Sequence, residues 1–476
     1  MSRIRALAVT LIVASLTATT HGEEWYQGTR SLTAFHGTFI QWGGTASVAN
    51  ITHGFGQAMH YDRITIHDGL FYSGKIDFGS LNGYAYFTQN GGVHINSNGI
   101  VLASSRERFV NQGSWYTMNG GLLQTPHLGG KGSFRQTGGT TVATQFGIAG
   151  GGSAIVEGGS LNATGLGVSG IDIYLYFGGS GYALASFRQE GGTVTAEGVW
   201  VGGGGVVTVA GGTLAASNVV VDGYVMDGYL GPSGRRRVYA SFTQQGGEIV
   251  ISQRLDVGTK YSLEGGSLAA PTIMVKGQFI AKSSDIINTQ RFIMAGGKFD
   301  AYASCRLGRL ALRTNGPGRI ISELGFSAPG VVRFRNSSME PWTRSAYLVV
   351  KGWQGLTNGG GDNQLRFGNG SHGLTRPQLA GIIFEQPSGD YSARILSTGE
   401  VVPDAPLGLQ ITRRRNRMVL AWGEPYYLET TTNLTSKLQY LGMTTNPVGA
   451  SWLAVTQASP LVINFSEPQR YFRLRR

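Results

Sequence analysis

The chain of 476 residues carries one cysteine, Cys305, only 14 prolines and 14 % charged residues. A single cysteine excludes an intramolecular disulfide, so stability has to come from packing and backbone ladders. Cys305 itself reads as a small buried apolar residue. Long apolar runs are missing too: residues 6–16 form an apolar stretch too short to span a bilayer, and no later one is long enough. No transmembrane anchor is therefore expected after the leader. Acids are the scarcer sign, 27 against 39 Lys and Arg, for a formal charge of +12.

Residues 1–22 read as a secretory signal peptide, with Arg3 and Arg5 ahead of the apolar stretch and small residues from Ala18 to Gly22. Cleavage after Thr20 or after Gly22 fits equally. Without those residues the charge is +10, which suits acidic polysaccharide, lipopolysaccharide phosphates or another anionic surface by long-range attraction and equally suits a plain solvated surface. Export argues against nucleic acid.

What the chain has in excess is glycine, 75 residues, alongside 10 % aromatic residues that a disordered Gly-rich linker would lack. Much of that glycine comes in pairs at a regular place. Phe39-Ile-Gln41-Trp-Gly43-Gly44 recurs as Phe87-Thr-Gln89-Asn-Gly91-Gly92, Phe134-Arg-Gln136-Thr-Gly138-Gly139, Phe187-Arg-Gln189-Glu-Gly191-Gly192 and Phe242-Thr-Gln244-Gln-Gly246-Gly247. Between these lies a second class without Gln: Tyr116 to Gly121, Ala154 to Gly159, Val207 to Gly212 and Tyr261 to Gly266. Ile64 to Gly69 is a worn member of that class, and Phe292 to Gly297 closes the series. The first Gly position advances from 43 to 296 in ten steps, making eleven coils of about 25 residues.

A second short apolar segment follows each turn, such as Phe146-Gly-Ile148 or Val199-Trp-Val201. Two or three short strands per coil, each unable to bury its own apolar face, predict a single-stranded parallel β-helix, of the right-handed kind, over residues 23–400. A β-propeller is the structural alternative, but the shortest coils cannot hold four strands.

Residues i and i+2 of a strand share a face, so Gln41, Gln89, Gln136, Gln189 and Gln244 should point inward with the Phe two places before. A buried amide needs partners, and the adjacent Gly-Gly turn offers backbone groups. Long insertions at residues 77–86, 170–186 and 223–241 all precede a Phe-x-Gln coil, which would collect them on one side. They carry Tyr84, Tyr86, Tyr174, Tyr176, Tyr182, Tyr224, Tyr229 and Tyr239, with Arg235, Arg236 and Arg237. Such residues suit sugar rings and acidic groups through stacking and bidentate hydrogen bonds, and they equally suit lids over apolar strand faces.

After about residue 300 the Gly-Gly rhythm stops, and residues 306–395 read as terminal coils and a cap, with strands at Ala346 to Val350 and Gly381 to Phe384. Residues 401–408 form a Pro-containing linker. Residues 409–476 form a small β-sandwich with strands near 408–412, 418–422, 426–431, 451–455 and 471–474, and Arg413, Arg414, Arg415 and Arg417 sit in a hairpin-like turn.

Here Lys351-Gly-Trp353-Gln-Gly355, Gly359-Gly-Gly-Asp-Asn363-Gln-Leu-Arg366-Phe367, Pro377-Gln-Leu-Ala-Gly-Ile-Ile-Phe384 and Gly399-Glu-Val-Val-Pro403 stand together. This stretch resembles the closing module of exported bacterial proteins with autotransporter-associated β-strand repeats, of the Verrucomicrobia and Planctomycetes type. The last domain, with Tyr427-Leu-Glu-Thr-Thr-Thr-Asn-Leu434 and Tyr471-Phe-Arg-Leu474, is similar to the small C-terminal domain of such proteins. The resemblance implies an extracellular or cell-surface β-helix, generally without an assigned activity. Neither an outer-membrane barrel nor a hydrophobic sorting tail accompanies it.

Catalysis on a β-helix would need carboxylates stacked in neighbouring coils, as a pair for glycoside hydrolysis or as a cluster holding a metal for a lyase. Asp222 and Asp256 fall in different columns. His53, His60 and His67 recur every seven residues but read as loop and strand-edge positions. No catalytic residue, metal or cofactor is assigned. The sequence is read as a non-catalytic secreted or cell-surface scaffold that takes polysaccharide or cell-envelope glycans as partners. The alternative is a polysaccharide lyase or glycoside hydrolase on a β-helix.

Overall fold

The computed structural model describes residues 23–32, 38–52, 60–78, 83–102, 114–174, 180–226, 237–284, 287–314, 318–387 and 389–404, and the strands 410–414, 417–421, 427–431, 453–454, 461–464 and 471–475. The fold is almost wholly β, and its main sheets are parallel. It divides into two units, residues 1–280 with 285–289, and residues 281–284 with 290–476.

In the first unit the columns of the Gly-Gly alignment are the strand register. Phe39, Ile64, Phe87, Tyr116, Phe134, Ala154, Phe187, Val207, Phe242 and Tyr261 are successive Cα partners in one parallel ladder. All are buried, and several rings stack along the ladder, Phe87 on Tyr116 at 4.5 Å and Phe242 on Tyr261 at 5.0 Å between centroids. Burial of each such ring is worth about 1.5–3 kcal/mol.

After each Gly-Gly turn comes a second strand, and it bends. In Thr140–Ala149 the inward residues are Thr141 and Ala143, then Phe146 and Ile148, so the alternation slips at a corner between Ala143 and Phe146. Each complete coil thus presents three faces, one before the turn and two after it.

The turn itself explains the paired glycines. At Gly92 φ is +66°, the left-handed region. A Cβ there would also stand 2.5 Å from the carbonyl oxygen of Gly69, the equivalent glycine one coil earlier. Conformation and close stacking both demand glycine, and the ladder runs unbroken through the turn: Val93 N donates to Gly69 O and Leu122 N to Gly92 O.

The eleventh coil expected from the sequence is corrected: after Tyr261 the ladder passes to Gln278–Ala281, Tyr261 stacking on Phe279 at 5.2 Å, and not to the strand of Phe292. One coil precedes these ten. Glu23–Leu32 pairs in parallel with Thr38–Thr52, Tyr26 opposite Gln41 and Gly28 opposite Gly44, with a bulge between Tyr26 and Gln27. Residues 1–22, read as a signal peptide, lie outside the described residues.

In the second unit the strands again wind in parallel, and the Gly-Gly motif of the series occurs once, at Phe292 to Gly297. Arg291–Met294 pairs with Arg309–Leu312, Ile320–Phe326 with Ala346–Lys351, and Gly330–Phe334 with Asn363–Phe367. It stops at Ile382–Gln386, where Gly389–Ile395 and then Glu400–Pro403 return antiparallel. Two separate three-stranded antiparallel sheets follow. Gln410–Arg414, Arg417–Ala421 and Leu461–Asn464 make one; Leu453–Ala454, Tyr427–Thr431 and Tyr471–Arg475 make the other. The strand at Leu461–Asn464 has no counterpart among those read from the sequence. Arg414 faces Arg417 across a two-residue hairpin loop, whose Arg415 lies outside the described residues.

Candidate functional site

Insertions leave the first unit through one corner. The chain departs after Thr52, Phe78, Leu102, Ser169 and Asp222, and these points align in register: Thr52 with Asp77, Asp77 with Val101, Leu102 with Gly130, Gly130 with Ile148, Ile148 with Val168, Val168 with Val201 and Val201 with Val221. The rule that long insertions precede only Phe-x-Gln coils is corrected: the excursion after Leu102 re-enters at Ser114, ahead of the Tyr116 coil. The corner decides, because there the inward residues of the third face have ended and a detour disturbs no ladder.

Two of the insertions are antiparallel hairpins. Ile171–Tyr174 pairs with Ser180–Ala183, and Tyr224–Met226 with Arg237–Tyr239; the first strands of the two lie side by side. Tyr224 and Tyr239 are direct cross-strand partners about half exposed, their rings 5.9 Å apart, and the Arg237 guanidinium sits 4.7 Å from the centroid of Tyr224. Of the tyrosines and arginines read in the insertions, the structure brings together Tyr224, Tyr239 and Arg237, while Tyr86 stacks on Trp115 at 4.9 Å. Tyr174 and Tyr182 are placed on the first hairpin by their backbone alone. Tyr176, Tyr229, Arg235 and Arg236 lie outside the described residues.

The five inward glutamines are fully buried and act alike. The Gln89 side-chain nitrogen donates to Gly92 O of its own turn (3.4 Å) and to Leu122 O of the next coil (2.9 Å). Gln136 does the same with Gly139 O and Ser160 O, Gln189 with Gly192 O and Thr213 O, Gln244 with Gly247 O and Ser267 O, and Gln41 with Gly44 O and Leu70 O. They differ at the other end of the amide. Tyr116 and Tyr261 in the following coil donate their hydroxyls to Gln89 Oε1 and Gln244 Oε1, at 2.9 and 3.0 Å. Where that neighbour is Ile64, Ala154 or Val207, the Oε1 of Gln41, Gln136 or Gln189 has no partner among the described residues.

Sequence reasoning missed a buried polar chain in the same core. His94 stands in a column otherwise held by Ala46, Phe71, Leu123, Thr141 and Leu161, and that lone imidazole was the available signal. Its Nε2 lies 2.8 Å from Ser73 Oγ and its Nδ1 3.1 Å from the Tyr116 hydroxyl. Asn96 Nδ2 donates to Ser73 Oγ, and Thr125 Oγ1 to Asn96 Oδ1, both at 3.0 Å. An amide oxygen can only accept, so Tyr116 spends its proton on Gln89. His94 Nδ1 must then carry hydrogen, and Nε2 accepts from Ser73. Burial holds this imidazole neutral, its pKa lowered to about 3, and pushes the Tyr116 phenol well above its usual range.

Four carboxylates on the outer faces of the first unit are held by neighbouring bases: Asp77 by Lys75, Glu157 by Arg135, Glu190 by Arg188 and Asp256 by Arg254. Asp222 accepts from Gly223 N at 2.7 Å. His67 stacks on Trp42 at 3.7 Å and is bonded to Asn90, in an outward ladder with Asn119 and Thr137; His53 lies outside the described residues. Among the described residues no group of three His, Cys, Asp or Glu could hold a metal. No helix there is long and apolar enough to cross a membrane. Cys305 is buried, its thiol pushed up to about 12 by desolvation.

In the second unit a cleft of about 280 Å³ is lined by Ser338, Glu340, Trp342, Arg344, Tyr347 and Thr375 among others. Its one carboxylate, Glu340, is bound by Arg291 at 2.8 Å. The motifs that carry the family resemblance are engaged in structure around it and beyond. Gln378 closes a capping box with Thr375 and donates to Ser337 O and Glu340 O. Buried Glu400 accepts from Gly360 N through both oxygens, and Asn363 ties Gln354 N to Ala328 O. No protein-family model matches the chain, and neither does any curated protein or solved structure.

Proposed function

We propose that the chain is an exported, non-catalytic scaffold of the cell surface or extracellular matrix, a β-solenoid of the autotransporter-associated repeat type that binds glycans through its corner insertions. The observation that carries this reading is the shared exit of the insertions. Two of them place hairpins side by side, and one exposes a Tyr224–Tyr239 pair beside Arg237. Exposed aromatic faces stack on pyranose rings, and a guanidinium adds bidentate bonds to hydroxyl or acidic groups. The pairing of Glu157, Glu190 and Asp256 with neighbouring bases supports a scaffold over a hydrolase, which needs two carboxylates facing one bond.

The test is a glycan array with the full secreted chain and with Tyr224→Ala and Tyr239→Ala. Binding in the parent and loss in the variants is expected. An array without hits removes the binding clause. Release of reducing ends or unsaturated sugars from a polysaccharide panel overturns the scaffold in favour of a β-helix lyase or hydrolase.

A further inference from the structure

We infer that coils 70–130 of the first unit form an acid-responsive segment, latched shut by neutral His94 and released when that imidazole takes up a proton. The inference stands on the hydrogen-bond chain and is independent of glycan binding.

The chain has one direction. Asn96 donates to Ser73, Ser73 to His94 Nε2, His94 Nδ1 to Tyr116, Tyr116 to Gln89 Oε1, and Gln89 onward to backbone carbonyls on both sides of a turn. It joins three successive coils through side chains alone. The imidazole is fully buried between the rings of Phe71 and Phe87, each 4.9 Å away. A second proton on Nε2 reverses the bond to Ser73 and puts a positive charge in an apolar core.

Nothing nearby offsets that charge. From Leu70–Asp77 the inward groups are Phe71 and Ser73, while Lys75 and Asp77 pair with each other outside at 2.7 Å. From Gly83–Gln89 they are Phe87 and Gln89, and from Ser114–Met118 Tyr116 and Met118. From Leu122–Gly130 they are Leu123 and Thr125, with His127 exposed. The only titratable group bonded to His94 is a phenol that stays protonated. An isolated buried cation is among the costliest arrangements a core can hold, so protonation and opening are coupled.

The sign follows from linkage. The unfolded segment binds a proton near pH 6.5 and the closed one does not, so stability is intact above 6.5 and falls as pH drops. The opening equilibrium therefore rises about tenfold for each pH unit below 6.5.

Hydrogen–deuterium exchange of the full chain, compared with His94→Leu at each pH so that intrinsic exchange cancels, reads this directly. Protection of peptides within 70–130, relative to the variant, should fall about tenfold per unit below pH 6.5, with peptides from residues 241–280 unchanged. A ratio independent of pH overturns the inference. Should His94→Leu fail to fold, selective nitrogen-15 labelling of histidine in the parent decides. A His94 ring neutral and protonated on Nδ1 until the coils open supports the latch; one titrating near pH 6.5 in the closed protein refutes it.

Discussion

Tyr116 and Tyr261 occupy the same place in two coils and make the same bond to the preceding glutamine, yet removing their hydroxyls should have unequal cost. Tyr261→Phe leaves one buried atom, Gln244 Oε1, without a donor. At about 1–3 kcal/mol for a stranded buried polar group, that is the expected loss. Tyr116→Phe strands Gln89 Oε1 and also the Nδ1–H of His94. Shifting the histidine proton to Nε2 only exchanges one stranded group for another, so about 2–6 kcal/mol is expected. A coil stack opens segment by segment, so a global unfolding midpoint blurs the difference. Exchange protection of peptides spanning 114–125 and 260–270 resolves it. The Tyr116→Phe loss should exceed that of Tyr261→Phe by roughly 5–150-fold in the local opening constant. Equal losses at the two sites, or none at Tyr116, would refute the hydrogen-bond chain as drawn.

Gln136→Met removes a buried oxygen that has no partner along with two donated bonds, so it should cost under about 1 kcal/mol, whereas Gln89→Met also strands Tyr116 and should cost about 2 kcal/mol more; paired denaturation curves compare them. Gly92→Ala meets both a left-handed backbone and the Gly69 carbonyl, and should destabilise by about 3 kcal/mol or prevent secretion of folded protein, seen as loss of protease resistance. Glu400→Gln weakens the tie to Gly360 and the 3.6 Å contact with Arg366. Limited proteolysis should then cut faster within 351–404 and leave the first unit's fragment pattern unchanged.

Much of the first unit was legible because a parallel ladder forces one residue to stack on its equivalent in the next coil. Aligning Gly-Gly pairs in the sequence is thereby the same act as assigning register, and Phe39 on Ile64 on Phe87 follows without further information. The coil at Glu23–Leu32 escaped because its bulge after Tyr26 spoils the spacing. Leu461–Asn464 escaped because an isolated apolar run outside a repeat has no column to join. The polar chain escaped for a different reason: periodicity tells which residues face inward, not which inward side chains meet. Ser73, His94, Tyr116 and Gln89 come from different columns, and only the closed coil brings them within bonding distance. The insertions' common exit was partly visible, but their rule was tied to the wrong feature, coil class in place of corner.

The glutamine bonds all point the same way along the chain. Each amide ties its own turn to the coil that follows, and the coil that follows carries an apolar residue in that place, Ile66, Met118, Val156, Val209 or Leu263, which reaches no further. Successive interfaces in the stack therefore alternate between a plane with a glutamine staple and a plane without one, three of the latter being crossed instead by the Ser73–His94, Asn119–Thr137 and Asn218–Gln253 bonds. Under an axial pull the plane between the Val156 and Gln189 coils, which has neither a glutamine nor one of these bonds across it among the described residues, should open before its stapled neighbours. The same alternation sets the length at which the stack can be cut or extended. Removing or duplicating a whole pair keeps every glutamine facing its carbonyls, while a single coil added or lost puts two staples, or two gaps, side by side.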